Sequence, residues 1–237
     1  MSPGGYNQFC PIAKACEILE PRWTLLILSE MWSGSQRFND IGRGVPGLSP
    51  TLLSRRLKEM EANGLITRRQ EQPGQVTYET TAMAQKLEPV VHALGAWAHE
   101  NIDCEVSLQT LDSRLLMWNV RRKIRSARFP KARTVIQFIF PDQKPDLRNY
   151  WLIARPGCDA DLCVTDPGFT VDLFVESPLK VFTAVWMGWS PLDAALSDGE
   201  IYVSGDAALA ASIRSWMVLS SFAGRNPARD ERREDAL

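Results

Sequence analysis

Residues 48–69 read LSPTLLSRRLKEMEANGLITRR, a helical pattern that stops at a glycine and continues into a short apolar strand. Ser49 is a favourable N-cap residue, and Pro50 suits the first helical position because its missing N–H would have no helical partner there. Asn63-Gly64 supplies the C-terminal stop. The stretch therefore predicts a capped helix followed directly by a strand that ends in two arginines.

The two faces of this helix differ in chemistry. Leu53, Leu57 and Met60 recur at i, i+4 and i+7, which predicts the face that packs into a core. Another face carries hydroxyl and basic side chains at helical spacing. This second set is Thr51, Ser54, Arg55 and Lys58. A polar outer face is also typical of any surface helix, so the helix alone does not establish a function.

The neighbouring elements favour a more specific interpretation. Two helices are predicted before the capped helix at 10–19 and 21–32, with a short helix at 37–42. A hairpin with strands at 65–70 and 76–80 is predicted after it. A short helix, a turn and a second helix form a helix-turn-helix unit, and a hairpin placed next is a wing. Because an α-helix fits the major groove, this order favours binding to double-stranded DNA.

The predicted DNA contacts follow from this order of elements. The first half of the recognition helix usually reaches base edges, whereas Arg56 leans to the flank and would suit a phosphate. Arg68 and Arg69 lie on opposite sides of the wing strand, so at most one is expected to point at the duplex. The full set of predicted contacts is Arg37, Ser49, Thr51, Ser54, Arg55, Arg56, Lys58, Arg68 and Arg69.

Charge supports a local DNA-binding surface. The chain of 237 residues has a formal net charge of −1 and a sequence pI of about 6.2, which argues against a protein that coats nucleic acid indiscriminately. Residues 37–69 nevertheless carry seven basic and three acidic side chains, which gives a local charge of +4.

Composition argues against several other classes of protein. Five cysteines without a CxxC pair and only two histidines predict neither a disulfide framework nor a zinc site, so no metal and no cofactor is expected. The sequence has no GxSxG, P-loop or HExxH motif, and we do not expect an enzyme. It has no basic leader followed by an apolar stretch and no membrane-length apolar run. These features predict a cytoplasmic protein with reduced thiols.

Three segments carry a resemblance to a known family. They read CPIAKACEILEPRWTLLILSEMWSGSQRFNDI at 10–41, GLSPTLLSRRLKEMEANGLITRR at 47–69 and VTYETTAMAQKLEPVVHALGAWA at 76–98. Over residues 9–99 the sequence resembles the HxlR-type winged helix-turn-helix family of bacterial transcription regulators. The shared signatures include the Cys-Pro start, the Trp-Thr-Leu-Leu-Ile-Leu helix and the Ser-Pro-x-x-Leu-Ser-x-Arg-Leu spacing. The resemblance implies a homodimer that binds inverted repeats and represses or activates transcription.

An apolar helical stripe after the wing is the predicted dimer interface. It ends in Trp97, a large residue that favours a partner surface, although the stripe would also serve to cover its own domain. Pro89 should kink or restart the helix. The stripe consists of Met83, Leu87, Val90, Val91, Leu94 and Trp97.

Cys10 has two interpretations. In some members of the family that this sequence resembles, a cysteine immediately before this proline acts as a redox or electrophile sensor, and Cys10-Pro11 matches that position. No nearby cation clearly lowers its pKa, although Lys14 lies four residues on. The alternative is a small semi-buried side chain without a chemical role.

The second half of the chain predicts a mixed α and β domain. Residues 107–126 read as a helix with a basic outer side, and eight basic residues without an acid occur at 114–133, either as a solvated face or as a phosphate contact. Strands and helices are then predicted through residue 219. The segment DADLCVTDPGFTVDLFVESPLKVFTAVWMGWSPLDAALSDGEIYVSGDAALAASI lies at 159–213. Through this segment, roughly residues 110–222 resemble the sterol carrier protein 2 (SCP-2)-like lipid-binding domain, which implies an apolar ligand held between sheet and helices.

The predicted architecture is therefore α+β, with an N-terminal winged helix-turn-helix domain at 1–104, an SCP-2-like α/β domain at 105–223 and a disordered tail at 224–237. Candidate ligand-binding residues are Val181, Phe182, Val185, Trp186, Met187 and Trp189, which would otherwise be plain core. The leading hypothesis is a regulator that responds to a small apolar ligand. The alternative is a lipid carrier whose winged domain serves protein interaction or dimerisation.

Overall fold

The computed structural model describes residues 5–72, 74–129 and 132–224. The chain divides into two units, Met1–Leu94 and Gly95–Leu237, each with its own hydrophobic core. The predicted domain boundary at 104/105 lies further along the chain than this division. Apart from Gly224, the tail predicted at 224–237 lies outside the described residues, as does Pro73 of the predicted wing turn.

The first unit has the order of elements of a winged helix-turn-helix. A hairpin follows the fourth helix directly, and its two strands pair antiparallel from Ile66↔Thr80 to Gln72↔Gln75. The elements are α1 (Pro11–Leu19), α2 (Thr24–Trp32), α3 (Phe38–Gly44), α4 (Pro50–Ala62), β1 (Ile66–Gln72), β2 (Gln75–Thr80) and α5 (Ala82–Gln85).

The core of this unit confirms the predicted buried face of α4. Leu53, Leu57 and Met60 are each at most 2% exposed and pack with Ile27 and Ile41 of the preceding helices. Ser49 caps α4, since its side chain accepts a hydrogen bond from the Leu52 N–H at 3.3 Å. Local capping and the 3.6-residue period therefore fix this helix as the sequence predicts.

The start of α2 differs from the prediction. The sequence places the start at Pro21, but α2 begins at Thr24, and Trp23 occupies the N-cap position with a φ of 87°. A positive φ is a strained conformation for a large aromatic residue. The Trp23 side chain is partly buried against the core of the first unit. Tertiary packing thus overrides the helix-start signal of Pro21.

The helix that carries the predicted dimer stripe restarts near Pro89, as predicted. Helix α5 ends at Gln85, and α6 runs over Glu88–Asn101 with Pro89 in its first turn, where a missing N–H is tolerated. Helix α6 begins in the first unit and ends in the second.

The second unit is built on a five-stranded mixed sheet with the order β5-β4-β3-β6-β7. Strand β3 pairs antiparallel with β4 and parallel with β6, and the two outer pairs are antiparallel. The elements after α6 are α7 (Cys104–Ser107), α8 (Ser113–Lys123), β3 (Thr134–Ile139), α9 (Pro145–Arg148), β4 (Asn149–Ala154), β5 (Asp161–Cys163), β6 (Leu173–Glu176), α10 (Leu179–Met187), α11 (Leu192–Ser197), β7 (Tyr202–Gly205), α12 (Ala207–Ala211) and α13 (Ile213–Trp216).

Two predicted helices of this unit are interrupted. The helix predicted at 107–126 is split, because Asp112 caps a new start by accepting hydrogen bonds from the Arg114 and Leu115 N–H groups. The last helix, which the sequence predicts from Gly205-Asp206 through Trp216 and Leu219, is likewise broken at Ser212, between α12 and α13. The observed mixed sheet agrees with the coarse prediction of an α/β second half.

Aromatic side chains fill the core between the sheet and α10. The ring of Phe182 lies 5.6 Å from that of Phe138 and 5.8 Å from that of Phe140, with edge-to-face geometry in both pairs. Phe140 in turn contacts Tyr150 at 5.9 Å. Such pairs stabilise a core beyond the area that they bury. Within the described ranges, no helix combines the length and the apolar character needed to cross a bilayer.

Candidate nucleic-acid interface

Helix α4 presents the predicted contact residues outward. Thr51 and Lys58 are exposed, Ser54 is half-buried, and the Arg55 side chain is 64% exposed. Together with Pro50 these four side chains border one shallow depression on the surface. The structure therefore brings hydroxyl, guanidinium and ammonium groups together on the face opposite the buried leucines.

Arg56, which is predicted to suit a phosphate, is paired within α4. Its side chain is only 16% exposed, and Nη1 donates a hydrogen bond to Oε2 of Glu59, one turn further along α4. Arg55 lies more loosely beside the same carboxylate, with Nε 3.8 Å from Oε1. Arg56 is thus engaged within the helix, and Arg55 is the guanidinium that is available to a partner.

The two wing arginines lie on opposite sides of β1, as the alternation of side chains along a strand requires. Arg68 pairs in register with Tyr78, whose ring packs partly against the core, and Arg69 pairs with Thr77. Both arginines are exposed, and Nε of Arg69 lies 3.0 Å from Oε2 of Glu79. The structure leaves the predicted choice of one wing contact open between them.

Arg37 lies beside the wing. It is the exposed residue before α3 and forms an isolated antiparallel bridge with Thr77 of β2. The adjacent Gln36 carbonyl accepts a hydrogen bond from the Tyr78 N–H at 2.8 Å. This isolated bridge places Arg37 next to the hairpin, although Arg37 lies 40 positions before Thr77 in the sequence.

The part of the sequence that forms these elements matches a known protein family. A family model described as HxlR-like helix-turn-helix matches residues 18–106. The uncharacterized HTH-type transcriptional regulator YvaP of Bacillus subtilis strain 168 is 39% identical over 100 residues, which cover 41% of this chain and 93% of that protein. The chain belongs to the HxlR-like helix-turn-helix family.

Other HTH-type regulators are similar to a part of this chain of comparable length. The uncharacterized HTH-type transcriptional regulator sll1512 of Synechocystis sp. PCC 6803 is 35% identical over 109 residues, with 44% of this chain and 81% of that protein covered. The HTH-type transcriptional regulator YodB of Bacillus subtilis is 34% identical over 97 residues, with 40% and 87% covered. The solved reduced form of the redox regulator HypR is 28% identical over 40% of this chain and 99% of its own, with a TM-score of 0.38.

The predicted dimer stripe of this HxlR-like chain is largely exposed. Val90 is 62% exposed and Trp97 is 56% exposed, whereas Leu87 packs partly against the core of the first unit and Val91 is half-buried. Met83 and Leu94 are also exposed apolar residues. Exposed apolar side chains at helical spacing are typical of an interaction surface.

Two exposed apolar residues near the start of the chain were missed by sequence reasoning. Phe9 is 99% exposed and Ile12, in the first turn of α1, is 74% exposed. Both residues lie in the Phe-Cys-Pro-Ile segment at 9–12, ahead of the matched range 18–106, and their side-chain exposure follows only from the fold.

Cys10 occupies the N-cap position of α1 and is half-buried. The backbone N–H groups of Ala13 and then Ile12 lower the pKa of its thiol, and slight burial opposes them. Lys14 is directed elsewhere, since its Nζ lies 2.9 Å from Oε2 of Glu17. The helix start, rather than a nearby cation, therefore favours the Cys10 thiolate.

The candidate ligand residues on α10 and just after it divide into two groups. Phe182 and Val185 are fully buried in the core, and Val181 packs at its edge, which agrees with the plain-core alternative. Trp186, Met187 and Trp189 line a cavity in the second unit, although Trp186 also belongs to the buried core and Met187 packs against it. Sequence reasoning missed the other cavity residues, among them His99 and Phe222.

The basic run at 114–133 has partners within the second unit. Arg114 lies 3.3 Å from Asp146, Arg121 donates to the Ala160 carbonyl, and the Arg133 guanidinium stacks on Phe169. These contacts favour the interpretation of a solvated, internally paired face over a phosphate contact. Within residues 5–72, 74–129 and 132–224, no group of three or more His, Cys, Asp and Glu side chains is placed to hold a metal ion.

Proposed function

We propose that this chain is a sequence-specific DNA-binding transcription regulator that acts as a homodimer on an inverted repeat. One observation carries the proposal: α4 buries Leu53, Leu57 and Met60 and turns Thr51, Ser54, Arg55 and Lys58 to solvent. Membership of a family with many HTH-type regulators adds to it.

The chemistry of the exposed face suits the major groove. A guanidinium can form two hydrogen bonds with the O6 and N7 atoms of guanine, and hydroxyl groups can donate to or accept from several bases. Arg55 would therefore read a base, while Lys58 would neutralise a phosphate. The wing, with Arg68 or Arg69, would hold the flanking backbone.

The homodimer is inferred from the exposed apolar stripe on α5 and α6. Burying Val90, Leu94 and Trp97 against a second copy would remove apolar surface from water, which is the main favourable term in most protein association. A two-fold symmetric dimer presents two α4 helices to two half-sites, so the operator should be palindromic, with half-site centres about one helical turn or a multiple of it apart.

The second unit is proposed to sense a small ligand. Its segment at 159–213 resembles an SCP-2-like domain, and it holds a cavity bordered by Trp186 and Trp189. A ligand changes DNA binding only if it binds one arrangement of the protein more tightly than another. The same cavity supports the competing function, a lipid carrier whose winged unit serves protein interaction.

Selection of bound duplexes from a random pool tests the regulator directly. We expect a palindromic consensus whose affinity for the full-length protein falls steeply with added salt, because phosphate contacts release counterions. A pool that remains unenriched would reject the DNA-binding function and leave the carrier function as the better explanation. A consensus without two-fold symmetry would reject the homodimer on an inverted repeat.

A further inference from the structure

A cavity of about 340 Å³ lies entirely within the second unit. Its walls come from the last turns of α6, from α8 and α10, and from the segment that contains Phe222. The volume falls within the range of about 300–1,000 Å³ that is usual for small-molecule sites. At Gly95, on the α6 wall, an added Cβ would lie 2.8 Å from Cζ of Phe222, so the absence of a side chain allows that ring to approach the helix.

His99 gives this cavity a flat aromatic wall. Its ring stacks on Trp189 with centroids 5.3 Å apart and planes 15° from parallel, and it lies 6.2 Å from the ring of Phe222. Trp186 lines the same space. Flat rings on several sides favour a flat guest over a flexible acyl chain, because planar surfaces stack without leaving gaps.

The nitrogens of His99 are an unexplained polar feature. Among the residues that the structure describes, neither Nδ1 nor Nε2 has a hydrogen-bond partner, and both atoms are buried. Buried polar atoms are nearly always paired, because leaving one unpaired costs about 1–3 kcal/mol. A ligand that hydrogen-bonds to this ring would supply the partner that no described protein group provides.

The protonation state of His99 defines what it can bond. Burial lowers the pKa of the imidazole, and the nearby charge of Glu100 opposes that effect only in part. The ring is therefore neutral at pH 7, with one nitrogen that accepts and one that donates a hydrogen bond. A neutral hydroxyl group is a matching partner, because it can donate to the accepting nitrogen.

The remaining ionisable group disfavours an anionic ligand. Apart from His99, Asp112 is the ionisable residue on the cavity lining within the described ranges, and its carboxylate caps α8 through the Arg114 and Leu115 N–H groups. With a carboxylate and no cationic side chain among the described lining residues, a fatty acid or aromatic carboxylate would meet repulsion that a neutral molecule avoids.

We propose that the cavity binds a neutral, planar aromatic molecule with a hydroxyl group that bonds to His99. The proposal rests on the proposed ligand sensing by the second unit and specifies its site and ligand class.

Isothermal titration calorimetry of the full-length protein at pH 7, without DNA, tests this with three probes of matched size. We expect 2-naphthol to bind more tightly than naphthalene, which lacks the hydroxyl group, and more tightly than 2-naphthoate, which is anionic. No binding of 2-naphthol, or tighter binding of 2-naphthoate, would overturn the proposal.

Two variants connect binding to the site. His99→Phe keeps an aromatic ring against Trp189 but removes both nitrogens, so 2-naphthol affinity should fall about three- to tenfold while naphthalene affinity does not fall. Ala98→Trp should fill the cavity and weaken both probes. His92→Phe is the control, since it makes the same exchange on α6 at a residue that does not line the cavity.

Equal 2-naphthol affinity in the wild type and His99→Phe would reject the role of His99. Circular dichroism confirms that each variant is folded. Duplex binding is measured separately. If the wild type binds its operator but not 2-naphthol, this cavity proposal alone is rejected. If the wild type binds no operator, the proposed function is rejected.

Discussion

The carboxylate of Glu30 lies directly against the α-carbon of Gly44, so that a Cβ built at residue 44 would fall 1.8 Å from Cδ of Glu30. Glu30 is 5% exposed, and Ser35 Oγ donates a hydrogen bond to its Oε1 at 2.6 Å. This contact joins α2 to the last residue of α3. It therefore fixes the first helix of the helix-turn-helix against the core of the winged unit.

Gly44→Ala should destabilise the first unit by about 2 kcal/mol or more, because the methyl group overlaps a buried carboxylate that cannot move without losing its partner. Urea unfolding followed by circular dichroism measures the loss. Gly42→Ala is the matched control on the same helix, since its Cβ would meet only Leu53 Cδ2 at 3.6 Å. Equal stability of the two variants would show that the Glu30 contact does not constrain residue 44.

Arg55→Ala should weaken binding to the selected operator by about 1–3 kcal/mol and relax the preference at one base pair, if its guanidinium reads a base. Fluorescence anisotropy with labelled duplexes measures both effects. Arg155→Ala removes the same charge from an exposed ion pair with Asp161 in the second unit and should leave affinity unchanged. An unaltered operator affinity for Arg55→Ala would remove this residue from the interface.

Val90→Glu should shift the protein from dimer to monomer, because it would place a charge in the proposed apolar interface of α6. Analytical ultracentrifugation over a concentration series measures the change in dissociation constant. Gln85→Glu adds the same charge at an exposed residue of α5 outside the predicted stripe. A dimer that tolerates Val90→Glu as well as Gln85→Glu would place the interface elsewhere.

Cys10 should react with iodoacetamide at pH 7 several-fold faster than Cys158, because the N–H groups at the start of α1 lower the pKa of its thiol. Cys158 is an exposed free thiol and serves as the internal reference. Mass spectrometry of the alkylated peptides gives both rates from one sample. Slower alkylation of Cys10 than of Cys158 would favour the alternative of an inert, small side chain.

The stability of the protein should depend on pH through His99. Burial lowers the pKa of this imidazole in the folded state, so its neutral form is the one that the fold favours. The associated stability is present above the unfolded pKa of about 6.5 and is lost as the pH falls through the folded value. The difference in unfolding free energy between the wild type and His99→Phe should therefore change between pH 7 and 5. A constant difference in unfolding free energy over that interval would contradict a lowered pKa of His99 in the folded state.

The sequence predicted those parts of the fold that depend on local chemistry. The cap at Ser49 and the buried period of Leu53 and Leu57 are encoded within a few residues, and α4 follows them. The start of α2 was predicted less well, because the positive φ of Trp23 depends on how its side chain packs in three dimensions. The break before α8 carried a readable signal, since Asp112 is a favourable N-cap residue.

The candidate sites divide in the same way. The outward face of α4 follows from helical periodicity, whereas the engagement of Arg56 with Glu59 depends on side-chain conformations that the sequence leaves undetermined. On α10, periodicity identifies an apolar stripe but cannot show that Trp186 borders the cavity whereas Phe182 does not. His99 becomes part of a site only when the fold places Trp189 beside it.

The bare backbone at Gly95 has a consequence for how such a protein could diversify. Its missing methyl group is what lets the Phe222 ring sit close to the helix, and that ring forms part of the compartment next to His99. A single carbon added there would push the ring away and reshape the space without altering the imidazole. The size of the molecule that the cavity accepts could thus change through substitution of Gly95, a residue without a side chain.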